Sequence, residues 1–296
     1  MAAGDDKVGH VRAYLDYFRD MGVHEFYRNE TLEPVELPAV LETVAAVEEP
    51  RAVPEARREI TRPVAPVVVT KVETPAVVAA APVGLDIAKL VSFNDLAPLP
   101  GARVAAELRV AALDAISKDI GDCTRCPLAY GGRRKIVFGN GDPNARLMFV
   151  GEGPGADEDE QGVPFVGKSG QLLNNMIAAM GLRREDVYIA NIVKCRPPAN
   201  RAPEPVEANT CTQFLLRQMD VVQPEVVVAL GATAAMYLLG VKQTLASLRG
   251  SFHPVRGAKC AVTFHPAYLL RDPTKKGDAW KDLQMVMAEM GLKGKG

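Results

Sequence analysis

"RLMFVGEGPGADEDEQGVPFVGKS", residues 146–169, decides the fold. Its first six residues form an apolar run that stops at a glycine, as a buried strand does. Its last eight, Gly162–Ser169, satisfy the phosphate-loop pattern G-x-x-x-x-G-K-[ST] letter for letter. A working phosphate loop leaves its strand at the first glycine, wraps backbone amides around the phosphates and enters a helix at the lysine. Here the strand ends near Gly151, well ahead of Gly162, and the intervening ADEDEQ would repel a triphosphate. Pro164 has no N–H to give, and Val163 and Val166 resist positive φ angles. No other strand ends in an aspartate to hold magnesium. An NTPase is therefore disfavoured, and Lys168 and Ser169 are expected to open a helix that faces an anion such as a DNA phosphate.

Working outward, three more apolar runs bounded by turn residues read as buried parallel strands: VYIANIV (187–193), EVVVALG (225–231) and AVTFH (261–265). Helical stretches such as GQLLNNMIAAMGL and ATAAMYLLG lie between them, so the class is α/β with right-handed crossovers. Ligands of such sheets sit beyond the carboxyl ends of the strands. The segments found there are GEGPG, NIVKCRPPANR, GATA and HPAYLLR.

The remaining chain bounds the function. Net charge is −1, but residues 101–296 carry 25 Lys/Arg against 20 Asp/Glu, while residues 1–100 carry ten against sixteen. A basic domain is masked by an acidic leader. Residues 31–100 hold ten of the 22 prolines with no 2.0 or 3.6 periodicity, and are expected to form a disordered linker. Within residues 1–30, Val8, Val11, Leu15 and Phe18 recur at helical spacing, either as a marginal amphipathic helix or as a docking peptide for a protein partner. No stretch reads as a signal peptide or membrane span, and five cysteines without one argue for a cytoplasmic protein. A monomer is the default expectation.

Cys123 and Cys126 form C-x-x-C-P, and Cys195 and Cys211 follow at a distance. Two close and two distant thiolates suit a tetrahedral ion or a cubane cluster, and spacing does not choose between them. Cys260 is expected to be an unpaired structural cysteine. Phe165, in a Pro-Phe-Val-Gly turn near the strand ends, is either a core side chain or a flat platform for a base. Asn191, ending the second strand, is either a strand terminator or an amide that reads a ligand.

GEGPGADEDEQGVPFVGKSGQLL, NIVKCRPPANRAP and HPAYLLR, together with the cysteine framework C-x2-C … C-x15-C, resemble the family 4, iron–sulfur uracil-DNA glycosylases over roughly residues 104–296. The resemblance implies a three-layer α/β/α domain, spanning 101–296, around a four-stranded parallel sheet. It implies a [4Fe–4S] cluster on Cys123, Cys126, Cys195 and Cys211, architectural rather than redox-active. The activity implied is hydrolysis of the deoxyuridine N-glycosidic bond in single- or double-stranded DNA, in base excision repair. Phe165 would then stack on a flipped base, and Asn191 would donate to O4 and accept from N3–H, rejecting cytosine. His265 and the Gly151–Gly155 amides, those of Gly151 and Gly153 among them, would stabilise charge at O2. Glu152 is marked as important to activity. The best-known branch carries an aspartate at the following position, here Gly153, so Asn200 is a candidate to hold water. Leu269, Leu270 and Arg271 would form the wedge and phosphate contact, with Glu158 or Asp159 excluding thymine. His253 does not match the motif. A related branch traps uracil-DNA covalently through a histidine after the first motif; none follows PFVGKSG, which favours turnover over a binding protein.

Overall fold

A computed structural model describes residues 90–294. The amphipathic segment 1–30 and nearly all of the expected linker lie outside the described residues. Six strands form one sheet: β1 (Asn140–Gly141), β2 (Leu147–Gly151), β3 (Tyr188–Asn191), β4 (Val226–Leu230), β5 (Phe252–Val255) and β6 (Ala258–Thr263), in the order β1-β3-β2-β4-β6-β5. The inner four are parallel, as expected, and the two edge strands are antiparallel. Those edges escape a pattern reading for physical reasons. β1 has two residues, and β5 carries Pro254 on an edge, where a missing N–H is tolerated. His253 therefore stands in an edge strand, and Cys260, which precedes the expected run 261–265, lies inside β6.

Nine helices of the described residues complete the frame: α1 (Phe93–Leu96), α2 (Arg109–Ile120), α3 (Ala156–Gln161), α4 (Lys168–Ala179), α5 (Pro205–Val222), α6 (Ala232–Leu239), α7 (Leu245–Leu248), α8 (Pro266–Arg271) and α9 (Lys276–Met290). Met148 and Val150 of β2 join the core beneath α2, α5 and α6, while Leu147 and Phe149 join the core beneath α4 and α9. All four are fully buried. Each such side chain contributes about 1.5–3 kcal/mol. Burial on both faces is why the run is continuous rather than alternating.

The linker boundary needs correcting. Residues 90–98, assigned to the tether on proline content, fold onto the domain because Phe93 is fully buried and Leu96 packs beside it. Arg256 donates to the carbonyls of Phe93 and Pro98, and its own amide donates to Asn94 Oδ1 at 2.7 Å.

From β2 the chain passes to β3 on one side and then to β4 on the other. That reversal opens a crevice at the carboxyl end of β2, where α/β sheets bind ligands. Among the described residues no helix is long and apolar enough to cross a membrane.

Candidate active site

A cavity of about 380 Å³ occupies that crevice, lined by residues that follow β2, β3 and β6. The acidic ADEDEQ forms α3, so strand and lysine are separated by a helix and no phosphate loop exists. Lys168 opens α4, as expected.

Gly151 and Asn191 are register partners across β2 and β3. A Cβ on Gly151 would lie 2.4 Å from Asn191 Oδ1 and 2.6 Å from Phe165 Cζ, so only glycine lets the amide and the ring converge. Asn191 is 1% exposed, and its Oδ1 is the one buried side-chain polar atom among the described residues with no hydrogen-bond partner. A buried acceptor left unpaired costs about 1–3 kcal/mol. Such an atom beside a cavity implies a ligand that donates to it.

Phe165 is 4% exposed and holds φ at +53°, the left-handed region that a bulky residue avoids at a cost of order 1–3 kcal/mol. Its ring centroid lies 5.6 Å from that of His265. Glu158 accepts from the amides of Gly155 (3.0 Å), Val166 (2.9 Å) and Gly167 (3.0 Å), joining the GEGPG turn to the Phe165 loop. Of the two carboxylates considered for thymine exclusion, Glu158 lines the cavity. Asp159 instead accepts from the Arg134 amide outside it.

His265 caps α8, its Nδ1 accepting from the Ala267 amide at 3.1 Å. A neutral ring bonded this way carries its proton on Nε2. Burial, aided by the Arg271 guanidinium and opposed by Glu158, pushes its pKa down to about 4. The cavity thus receives a neutral N–H donor at physiological pH. His253 is elsewhere, bonded to the Leu248 carbonyl at 2.8 Å.

Glu152, Gly153, Ser169, Asn200 and Arg271 also line the cavity. A Cβ on Gly153 would meet Val193 Cγ2 at 2.8 Å, so an aspartate there has no room without moving a stiff β-branched neighbour. The Gly155 amide is committed to Glu158, Pro154 has none, and Gly151 belongs to the β2–β3 ladder rather than to the open turn, which leaves the Glu152 and Gly153 amides for a ligand. Asn200 Oδ1 already accepts from Arg196 Nε at 2.8 Å. Arg201, which the sequence did not single out, lines the cavity and pairs with fully buried Glu207 at 2.6 Å.

The wedge assignment requires a correction. Leu269 is 1% exposed and faces the interior, while Leu270 is 44% and Tyr268 36% exposed. Successive helical residues point about 100° apart, and on α8 that step turns Leu269 inward while Leu270 faces out. Lys168 is exposed but does not line the cavity.

Cys123, Cys126, Cys195 and Cys211 line one smaller cavity with Arg133 and Lys194. Among the described residues no three His, Cys, Asp or Glu side chains form a group that could hold a metal ion. The donor set nevertheless has the chemistry of a thiolate site. The Lys194 amide donates to Cys211 Sγ at 3.2 Å, Arg133 to Cys195 Sγ at 3.3 Å and Arg125 to Cys123 Sγ at 3.5 Å. Burial pushes the Cys211 thiol up to about 12 and raises Cys126 and Cys195, so thiolates here require the compensating cations those donors supply. Buried Lys194, unforeseen because a lysine in a loop motif reads as exposed, reaches the Asn191 carbonyl at 3.0 Å and Gln218 Oε1 at 2.6 Å. It ties the thiol cavity to the strand end that carries the amide. Cys260 is a buried free cysteine.

A family model described as the uracil DNA glycosylase superfamily matches residues 138–284. A type-4 uracil-DNA glycosylase of Thermotoga maritima is 47% identical over 162 residues, covering 54% of this chain and 84% of that protein. Type-4 uracil-DNA glycosylases of Archaeoglobus fulgidus and Pyrobaculum aerophilum are 39% and 42% identical, covering 61% and 56% of this chain and 94% and 88% of theirs.

Proposed function

This chain belongs to the type-4 uracil-DNA glycosylases of the uracil-DNA glycosylase superfamily, and from that premise we propose that it flips deoxyuridine out of DNA and hydrolyses its N-glycosidic bond, leaving an abasic site. The observation that carries the reading is the orphaned Asn191 Oδ1 inside a cavity that also holds a flat ring and a neutral imidazole donor. Uracil offers N3–H to the amide oxygen, O4 to the amide nitrogen, O2 to His265 Nε2 and its face to Phe165. Cytosine offers an acceptor at N3, which Oδ1 repels.

Bond cleavage separates an anionic uracil from a cationic sugar. His265 Nε2–H and the Glu152 and Gly153 amides stabilise the first, at the oxygen where charge grows. The Glu152 carboxylate, on the cavity wall, stabilises the second by its opposite charge. With no carboxylate at Gly153 to orient water, attack follows dissociation. Asn200, its oxygen held by Arg196, retains its amide N–H donors to place the water. Arg271 and Ser169 at the cavity, with Lys168 nearby in sequence, contact the flanking phosphates, and Leu270 fills the gap left by the base. Glu158 stands against a 5-methyl group. The basic balance of residues 101–296 supplies a DNA affinity that weakens steeply with salt.

Cys123, Cys126, Cys195 and Cys211 hold a [4Fe–4S] cluster in this reading, which supplies a rigid cross-link rather than chemistry at the base. A Cys211→Ser protein is expected to lose most of its iron and acid-labile sulfide. About one zinc and no iron per native chain would overturn the assignment. Five free cysteines suit a reducing cytoplasm.

The deciding experiment incubates the purified chain with U·A, U·G and T·G oligonucleotides and then heats them in alkali. Scission of both uracil strands and not the thymine strand is expected. A denaturant-resistant adduct without scission, or intact strands throughout, contradicts the reading.

A further inference from the structure

The left-handed backbone at Phe165 must be held by something, and the carboxylate of Glu158 accounts for only half of the restraint. It grips the amides after the ring, those of Val166 and Gly167. The carbonyls at and before the ring are gripped by a residue that neither the motifs nor the cavity lining mark. Arg184, in the turn between α4 and β3, donates Nη1 to the Phe165 carbonyl at 3.1 Å and Nη2 to the Pro164 carbonyl at 2.5 Å. A third bond, Nη1 to Asn174 Oδ1 at 2.9 Å, anchors the guanidinium to α4. Arg184 makes no ion pair among the described residues. A partly buried cation aimed at two successive carbonyls is an expensive way to hold a surface turn and an effective way to fix the two peptide planes that flank Phe165. Gly170 completes the seat: a Cβ there would lie 2.0 Å from the Phe165 carbonyl oxygen, so α4 leaves open the space into which that carbonyl turns.

We propose that Arg184 is a positioning residue for the base-stacking ring: with Glu158 it clamps the Phe165 peptide from both sides and presets the platform before substrate arrives. This rests on the uracil-excision reading for its role, but the clamp is a property of the loop itself. Arg184 does not line the cavity, so it acts through Phe165 and not on the base.

Two measurements test it. In single-turnover excision, Phe165→Ala is expected to lower kcat/KM by about 10- to 100-fold through lost stacking. Arg184→Met should lower it by about 10-fold, and the double variant should match Phe165→Ala alone, because a clamp has nothing to hold once the ring is gone. Arg184→Lys, which keeps the charge and loses the fork, should fall between Arg184→Met and the native protein. Losses that multiply in the double variant overturn the proposal. The second measurement needs no activity: 4-fluorophenylalanine placed at position 165 should give one narrow 19F line in the native chain and a shifted or split line in the Arg184→Met or Arg184→Lys background. An unchanged line in both overturns the clamp, while a changed line in a chain that excises nothing would uphold the clamp and reject the functional reading instead.

Discussion

Replacing Asn191 by alanine lowers kcat/KM for uracil excision by about 1000-fold, equivalent to ~4 kcal/mol, with no loss of stability. The two halves of this expectation come from one observation. In the free protein the amide oxygen is buried and unpaired, so removing it relieves the fold of an unsatisfied acceptor rather than breaking a native bond. In the complex the same oxygen and its nitrogen partner carry the base-reading bonds, and a site built to make hydrogen bonds discriminates strongly when they are lost. Thermal melting alongside single-turnover kinetics checks both. A variant that melts well below the native protein would identify Asn191 as a structural residue, and one that keeps full activity would remove the amide from recognition.

His265→Ala is expected to lower kcat by about 100- to 1000-fold with KM little changed, because the bond to O2 strengthens only as negative charge develops there. The pH profile separates a neutral donor from a cationic one. With its pKa pushed to about 4, the ring is neutral through the whole range above that value, so His265 produces no acid limb near its ordinary 6.5. Rate held flat from about pH 6 down towards 5 is the expected result. A rate that instead falls as pH rises through about 6.5, with that limb lost in His265→Ala, would show that the protonated ring is the working form. The same shift has a stability consequence. Between pH 6.5 and 4 the unfolded chain binds a proton that the folded chain refuses, so this residue's contribution to stability falls as pH falls through that window.

The fold class was legible because the four inner strands are buried on both faces, which leaves uninterrupted apolar runs bounded by glycine and polar loops. The edge strands were not, since a two-residue ladder and a proline-bearing edge leave no period to count. The convergence of Phe165, Asn191 and His265 was anticipated from the rule that α/β ligands sit beyond strand ends, combined with a family resemblance. Periodicity alone left the first two open between core and site. What stayed hidden were residues that act through others. Lys194 and Arg184 are charged side chains in loops, and nothing local says that one reaches a strand-end carbonyl and the other the Phe165 turn. Leu269 was misplaced for the opposite reason: adjacent leucines look alike in a motif, and only the rotation of α8 separates the buried one from the exposed one.

The most direct measurement is a crystal structure of the chain soaked with free uracil. It should show the base stacked on Phe165, with Asn191 Oδ1 on N3, Asn191 Nδ2 on O4 and His265 Nε2 on O2, each at roughly 2.7–3.2 Å. Uracil bound with its Watson–Crick edge turned away from Asn191, or density only outside this cavity, would contradict the account.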